Sequence, residues 1–169
     1  MLKTIGAILV LGAAGGFGIS KAMQFYRQLR QLREFYQALE LLKCELNYTL
    51  LPLPRICRVT AERVRGTASD YLLRYAQKLD EGLPRTKAAA QSMEEVRGLS
   101  LPNDAKMALL ELFEALGRYD LDGENRLLQM TAHRLNAAIE RCEAEKKPLA
   151  KGYAALGFCT GLALVILII

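Results

Sequence analysis

One histidine, four cysteines and a short Asp-x-Asp-Gly run are the residues of this chain best suited to chemistry. His133 would need a serine or cysteine nucleophile at a recognisable spacing to work as a general base, and none stands there. It reads as a residue on a helix face. Cys44, Cys57, Cys142 and Cys159 include no C-x-x-C pair, and with a single histidine no zinc set assembles at a known spacing. Reduced, structural thiols are expected. Asp120-x-Asp122-Gly123 hints at a calcium loop. Placing Gly123 sixth, however, puts Arg118 first, where the loop requires an oxygen ligand. A cap and turn is expected instead. No glycine-rich loop followed by Lys-Ser/Thr offers to cradle phosphate, and no G-x-S-x-G elbow occurs. Carboxylates have cations nearby, as Glu111 and Glu114 have Arg118, which predicts a solvated charged face. The sequence therefore offers no catalytic residues and no cofactor or metal ligands, and does not read as an enzyme.

The elements that must hold these residues are helical. From Gln24 to Leu50, the residues Leu32, Phe35, Leu39, Leu42 and Leu46 recur at steps of three and four, one apolar stripe of a long helix. Arg30, Arg33, Glu34, Glu40 and Glu45 fall mostly away from it. Pro52 and Pro54 stop that helix, and Pro54 suits the first turn of the next, Arg55–Arg65, which buries Ile56, Val59 and Val64. Gly66 breaks the chain. Thr67 or Ser69 then caps a helix reaching about Glu81, with Ala68, Leu72, Tyr75 and Leu79 inward. Gly82 fits a left-handed stop and Pro84 a helix start. The Pro84–Arg97 helix is rich in alanine (Ala88, Ala89, Ala90), so a neighbour can pack close. After a connector at Leu99–Asn103 come a helix over Asp104–Leu116 and a turn over Gly117–Gly123. A helix over Glu124–Lys147 follows, carrying Leu128, Leu135, Ile139 and Cys142 and stopping before Pro148. No segment alternates with a period of two, so the expected fold is all-α, with about six helices.

Both ends of the chain read as membrane anchors. Gly152–Ile169 holds eighteen residues without a charge. At ~1.5 Å per residue it reaches about 27 Å, close to the ~30 Å of a hydrocarbon core. Lys146, Lys147 and Lys151 precede it as a headgroup flank. A second apolar run, Ile5–Ile19, contains Gly6, Gly12, Gly15, Gly16 and Gly18. A cleaved signal peptide is the competing reading, but no clean A-x-A site follows. Lys21, Arg27, Arg30 and Arg33 come next, the charge pattern of a cytoplasmic flank. The expected layout is an N-terminal anchor at 1–20, a cytoplasmic helical domain at 21–151 and a C-terminal anchor at 152–169. Gly12-x-x-x-Gly16 and Gly157-x-x-x-Gly161 would allow close helix approach in a bilayer.

The chain has 169 residues, 51% hydrophobic and 24% charged, with a net charge of +5. A basic balance could suggest nucleic acid. The cations cluster at the apolar flanks, and tryptophan is absent, so a lipid bilayer is the expected partner and nucleic acid is not.

Three stretches carry a family likeness. They are Cys44-Glu45-Leu46-Asn47-Tyr48-Thr49-Leu50-Leu51-Pro52-Leu53-Pro54, Leu116-Gly117-Arg118-Tyr119-Asp120-Leu121-Asp122-Gly123-Glu124-Asn125, and Ala144-Glu145-Lys146-Lys147-Pro148-Leu149-Ala150-Lys151 before the closing apolar run. Together the chain resembles the stage III sporulation protein AB family. That family typically shows a Glu-x-x-Tyr, a proline-bearing turn, a Leu-Gly-x-x-Asp stretch with a Gly-Gln pair, and a lysine-rich approach to its last anchor. Glu124 stands here in the place of that glutamine, and the alanine-rich helix lacks the tryptophan often found there. Leu53–Ala89 is also similar to the F-type cytoplasmic domain of the type II secretion inner-membrane platform protein, with Leu79-x-x-Gly82-Leu83-Pro84 and Ala88-Ala89. That protein usually carries two copies of the domain; this chain has room for one.

The resemblance implies a non-enzymatic platform in the membrane complex between mother cell and forespore. Sibling sporulation stage III membrane subunits and a cytoplasmic secretion-type ATPase would be its partners. It also implies a location in the mother-cell membrane around the forespore, with the central domain cytoplasmic. The second reading is a membrane-anchored helical adaptor or regulator unrelated to secretion. An exposed end of the Leu32–Leu46 stripe would further favour a homodimer.

Overall fold

The computed structural model describes the backbone of residues 2–49 and 51–168 and the side chains of 23–49 and 51–144. Six helices run through the described residues: α1 Leu2–Tyr48, α2 Leu53–Arg63, α3 Thr67–Asp80, α4 Arg85–Glu95, α5 Asn103–Ala115 and α6 Leu121–Ile168. The chain divides into two compact units, one of Met1–Arg27 with Arg141–Ile169 and one of Gln28–Glu140. Among the described residues no helix is long and apolar enough to cross a membrane. The side chains of both expected anchors, 1–20 and 152–169, lie outside those described.

Local chemistry explains most boundaries within Gln28–Glu140. Pro52, Pro84 and Pro102 stand at the N-caps of α2, α4 and α5 with φ of −59°, −56° and −57°. The ring holds that angle already, and the missing amide is one that a helix start leaves unbonded anyway. At the end of α3, Gly82 takes φ +81° while its amide bonds to the carbonyl of Leu79 and that of Leu83 to Lys78. This closes the last turn as the sequence predicts.

The stripe on α1 is the spine of the core. Leu32, Phe35, Leu39 and Leu42 are all buried. Phe35 meets Tyr71 of α3 at a ring separation of 5.8 Å, and Phe113 of α5 packs edge-on against Tyr71 at 4.8 Å and Tyr75 at 5.0 Å. Burying each such large side chain contributes roughly 1.5–3 kcal/mol. Ala88 and Ala89 of α4 are fully buried, the close approach that small residues permit.

Side-chain hydrogen bonds show how the helices run. Gln31 donates to the carbonyl of Gly98 at 2.8 Å and accepts from the amide of Ser100 at 2.7 Å. Glu34 accepts from the amide and hydroxyl of Thr67, both at 3.0 Å. The α2–α3 turn and the α4–α5 connector therefore lie beside the same two turns of α1. The α1–α2, α3–α4 and α5–α6 turns gather at the other end, so successive helices run back and forth.

Several details differ from the sequence reading. Neither Thr67 nor Ser69 caps α3: Gly66 holds the N-cap position without a side-chain bond, and Glu34 of α1 takes the amide instead. Ser69 donates to the carbonyl of Ala61. Glu45 faces inward, buried and paired with Arg63 at 2.6 Å. Glu111 pairs with Arg134 at 2.5 Å rather than with Arg118. The first long helix is continuous with the apolar run before it. α6 begins at Leu121 and its backbone continues through Pro148, where the sequence predicts a stop, without the hydrogen bond that proline cannot donate. Leu32, Phe35, Leu39 and Leu42 of the expected Leu32–Leu46 stripe are covered by the chain's own helices, and Leu46 at its end is half-buried.

Candidate interaction surface at one end of the bundle

The two stretches Cys44–Pro54 and Leu116–Asn125 are remote in sequence and meet in space. Asn47, one residue before the end of α1, exchanges two hydrogen bonds of 2.9 Å with Asn125 in the first turns of α6, each amide donating to the other's oxygen. Asn47 also donates to the carbonyl of Lys43 at 2.7 Å. A β-carbon on Gly117 would lie 3.3 Å from Nη2 of Arg85 and 3.5 Å from Cδ2 of Leu53. The starts of α2 and α4 and the α5–α6 turn therefore converge.

The turn itself is built by two carboxylates. Asp120 accepts the amide of Gly123 at 3.2 Å through its side chain, and the amide of Glu124 at 2.9 Å through its carbonyl. That is an N-cap, as the Asp-x-Asp-Gly run predicts in place of a calcium loop. Glu124 is buried at 4% exposure. One oxygen accepts the amides of Gly117 at 2.7 Å and Tyr119 at 3.0 Å. The other has no hydrogen-bond partner among the described residues. Two loop amides that would otherwise be unsatisfied are thus closed by one acid seven and five residues onward, fixing the loop's path.

What this fixed end presents outward is aromatic and basic. Tyr48 is 84% exposed and Tyr119 59%. Arg55, Arg85 and Arg118 belong to the same end, Arg85 half-exposed and the other two exposed. None of the three forms an ion pair within the described residues. Arg85 and Arg118 are near enough to buried Tyr75 for their charge to act on its phenol. Burial pushes that phenol up, and the two guanidiniums oppose the rise. Neither Arg55 nor Arg85 stands out as a functional residue in the sequence. The signal available there is an arginine in the first turn of a helix that has no acid in that turn.

Other groups contrast with this end. A shallow cleft of about 130 Å³ is lined by Arg74, Gln77, Lys78, Glu81 and Glu95. Its charges answer one another: Lys78 reaches Glu95 at 2.7 Å and Arg74 reaches it at 3.3 Å. The hydrogen bond from Lys78 is the chief cause that holds the Glu95 carboxyl below its usual range. His133 is exposed on α6. Cys44 is exposed, while Cys57 and Cys142 are buried, all three as free thiols; Cys159 lies outside the described side chains. Among the described residues no group of three or more His, Cys, Asp or Glu is placed to hold a metal ion.

Fold and site together define an all-α bundle that pins one set of turns through the buried Glu124 carboxylate and an Asn47–Asn125 pair and presents arginine and tyrosine there. A model of the stage III sporulation protein AB family matches residues 3–169, and the chain belongs to that family. Stage III sporulation protein AB of Bacillus subtilis (strain 168) is 28% identical over 170 residues, covering 99% of either chain. A solved structure of a stage III sporulation protein AB superposes with a TM-score of 0.65 at 24% identity. The match spans 72% of this chain and 98% of the solved one. That likeness bears on the fold, and it agrees with the helical bundle described above.

Proposed function

We propose that this protein is a non-enzymatic membrane platform in a sporulation-specific, type II secretion-like complex between mother cell and forespore. Residues 1–20 and 152–169 act as its anchors, and the domain between them works in the cytoplasm. The observation that carries the reading is the convergence of the two family stretches, 44–54 and 116–125, at one end of the bundle. Their polar groups are used to hold a surface, and their tyrosines are left outside it. A surface stiffened in this way, with aromatic side chains outward, suits protein assembly. The resemblance to the F-type platform domain makes a cytoplasmic motor ATPase the natural client, with sibling stage III subunits beside it in the membrane. The basic residues flanking both apolar runs support the orientation.

The test is extraction of membranes from sporulating cells with alkaline carbonate, combined with cysteine labelling. The full chain should stay in the membrane pellet. A cysteine introduced at Glu81 should be shielded from an impermeant reagent in intact cells, and one at Met1 should react. Release into the carbonate supernatant, or the reverse labelling pattern, overturns the reading.

A further inference from the structure

The arginines at the turn end have no internal purpose in view. Arg55 lies in the first turn of α2 and Arg85 opens α4. Those are the positive ends of their helices, where the helix dipole disfavours a cation. Neither helix has an acid in its first turn, and neither has a side-chain cap. At the same end, α6 follows the opposite and ordinary pattern, with Asp122 and Glu124 in its first turn and Asp120 before it. Of these carboxylates, Asp120 and Glu124 are engaged with amides of their own loop, and Asp122 is exposed. Arg118, in that loop, is free of the Glu111 partner that its spacing suggests, because Glu111 is taken by Arg134. A set of guanidiniums that form no ion pair among the described residues, placed against local preference at the end that carries two exposed tyrosines, fits an external partner better than the stability of the bundle.

We propose that this end, through Arg55, Arg85 and Arg118 with Tyr48 and Tyr119, is the docking surface for an acidic segment of a partner protein. The proposal rests on the reading of the chain as an assembly platform and gives the chemistry of what the platform receives. Guanidinium forks match carboxylates in a two-point geometry. Exposed tyrosine beside arginine is the pairing that concentrates binding energy in protein interfaces. A second copy of this chain is a poor occupant, since a two-fold contact would set the same arginines against each other. A lipid headgroup would meet the charge but leave the tyrosines without a role.

Photo-crosslinking in the full chain tests this. A benzoylphenylalanine at position 48 or 119 is introduced, sporulating cells are irradiated, and the chain is purified from membranes for mass spectrometry of its adducts. The expected adduct is a segment of another protein carrying net negative charge. Its yield should fall about tenfold or more in Arg85→Glu with Arg118→Glu, and stay unchanged in Arg97→Glu, an exposed arginine at the other turn end. Should the reversed pair fail to accumulate, Arg85→Gln with Arg118→Gln removes the charges at similar size and should also lower the yield. Adducts on a neutral or basic segment, on a second copy, on lipid alone, or at neither position overturn the proposal. So does an unchanged yield in the neutral pair. Membrane retention measured in the same fractions reports on the platform reading separately, because none of these substitutions lies in an anchor.

Discussion

The buried carboxylate of Glu124 accepts the amide of Gly117 at 2.7 Å with the same oxygen that accepts the amide of Tyr119. One side chain thus fixes the loop carrying Arg118 and Tyr119. Glu124→Ala should cost about 1–3 kcal/mol by leaving two amides unsatisfied. Glu124→Gln keeps an accepting oxygen and removes a buried charge whose second oxygen has no described partner, so it should change stability by less than about 1 kcal/mol. Thermal unfolding of the full chain in detergent distinguishes them. Equal losses would show that charge, not the acceptor, holds the loop.

Gly66 and Gly82 separate two costs of losing a glycine. Both take left-handed backbone angles, φ +75° and +81°. A β-carbon at 66 would overlap the Glu34 carboxylate that caps α3, whereas at 82 nothing lies within 4 Å. Gly82→Ala should cost about 1–2 kcal/mol for the angle alone. Gly66→Ala should cost about 2–4 kcal/mol, because the cap is also displaced. Matching melting points for the two variants would contradict this account of the Glu34 cap.

Tyr71 and Tyr75 are both buried in the aromatic cluster but differ in their hydroxyls. Tyr75 donates to the carbonyl of Phe113 at 2.6 Å, and the Tyr71 hydroxyl has no partner among the described residues. Tyr75→Phe should therefore lose about 0.5–1.5 kcal/mol, and Tyr71→Phe should be neutral or stabilising. The two melting curves in parallel are sufficient; a larger loss at Tyr71 would refute the assignment.

Local patterning made much of this bundle legible. Steps of three and four at Leu32, Phe35, Leu39 and Leu42 gave the buried face of α1. Prolines at 52 and 84 and glycines at 66, 82 and 117 marked helix limits within a few residues. What stayed hidden depends on pairs distant along the chain. Glu34 capping α3, Gln31 clasping the α4–α5 connector and Glu45 turning inward to Arg63 involve partners 18 to 69 residues away, and no periodicity encodes them. No site residue was legible at the turn end. The stretches that carry the family likeness contain Tyr48, Arg118 and Tyr119 without marking them as a surface, and Arg55 and Arg85 acquired meaning only once their helix starts were seen to share that end.

Alkaline pH should unfold the protein through its buried acids. Burial pushes the Cys57 thiol from 9.0 up to about 12, with Arg58 opposing, and burial also raises the phenols of Tyr71 and Tyr75. Each folded value lies above the unfolded one, so the stabilisation is whole at lower pH and is lost as pH rises, for Cys57 between 9.0 and about 12. The melting point should decline through that window, and in Cys57→Ala the decline should begin later. Glu95 works in the other direction: its carboxyl is held below 4.5 by Lys78 and Arg74, so its small contribution is present above 4.5 and fades as pH falls through the lowered value. A flat profile above pH 9 would contradict the burial of Cys57.

The central claim is that this protein gathers a cytoplasmic ATPase and sibling subunits at a membrane, and co-purification tests it most directly. The full chain, isolated in mild detergent from membranes of sporulating cells, should bring down the secretion-type ATPase and stage III membrane subunits. Tyr48→Ala with Tyr119→Ala should remain in the membrane, melt as the parent does, and lose the ATPase. Recovery of the parent chain from membranes without the ATPase would contradict the account, whereas full retention of the ATPase by the double variant would contradict only the assignment of the tyrosine-bearing end as its docking surface.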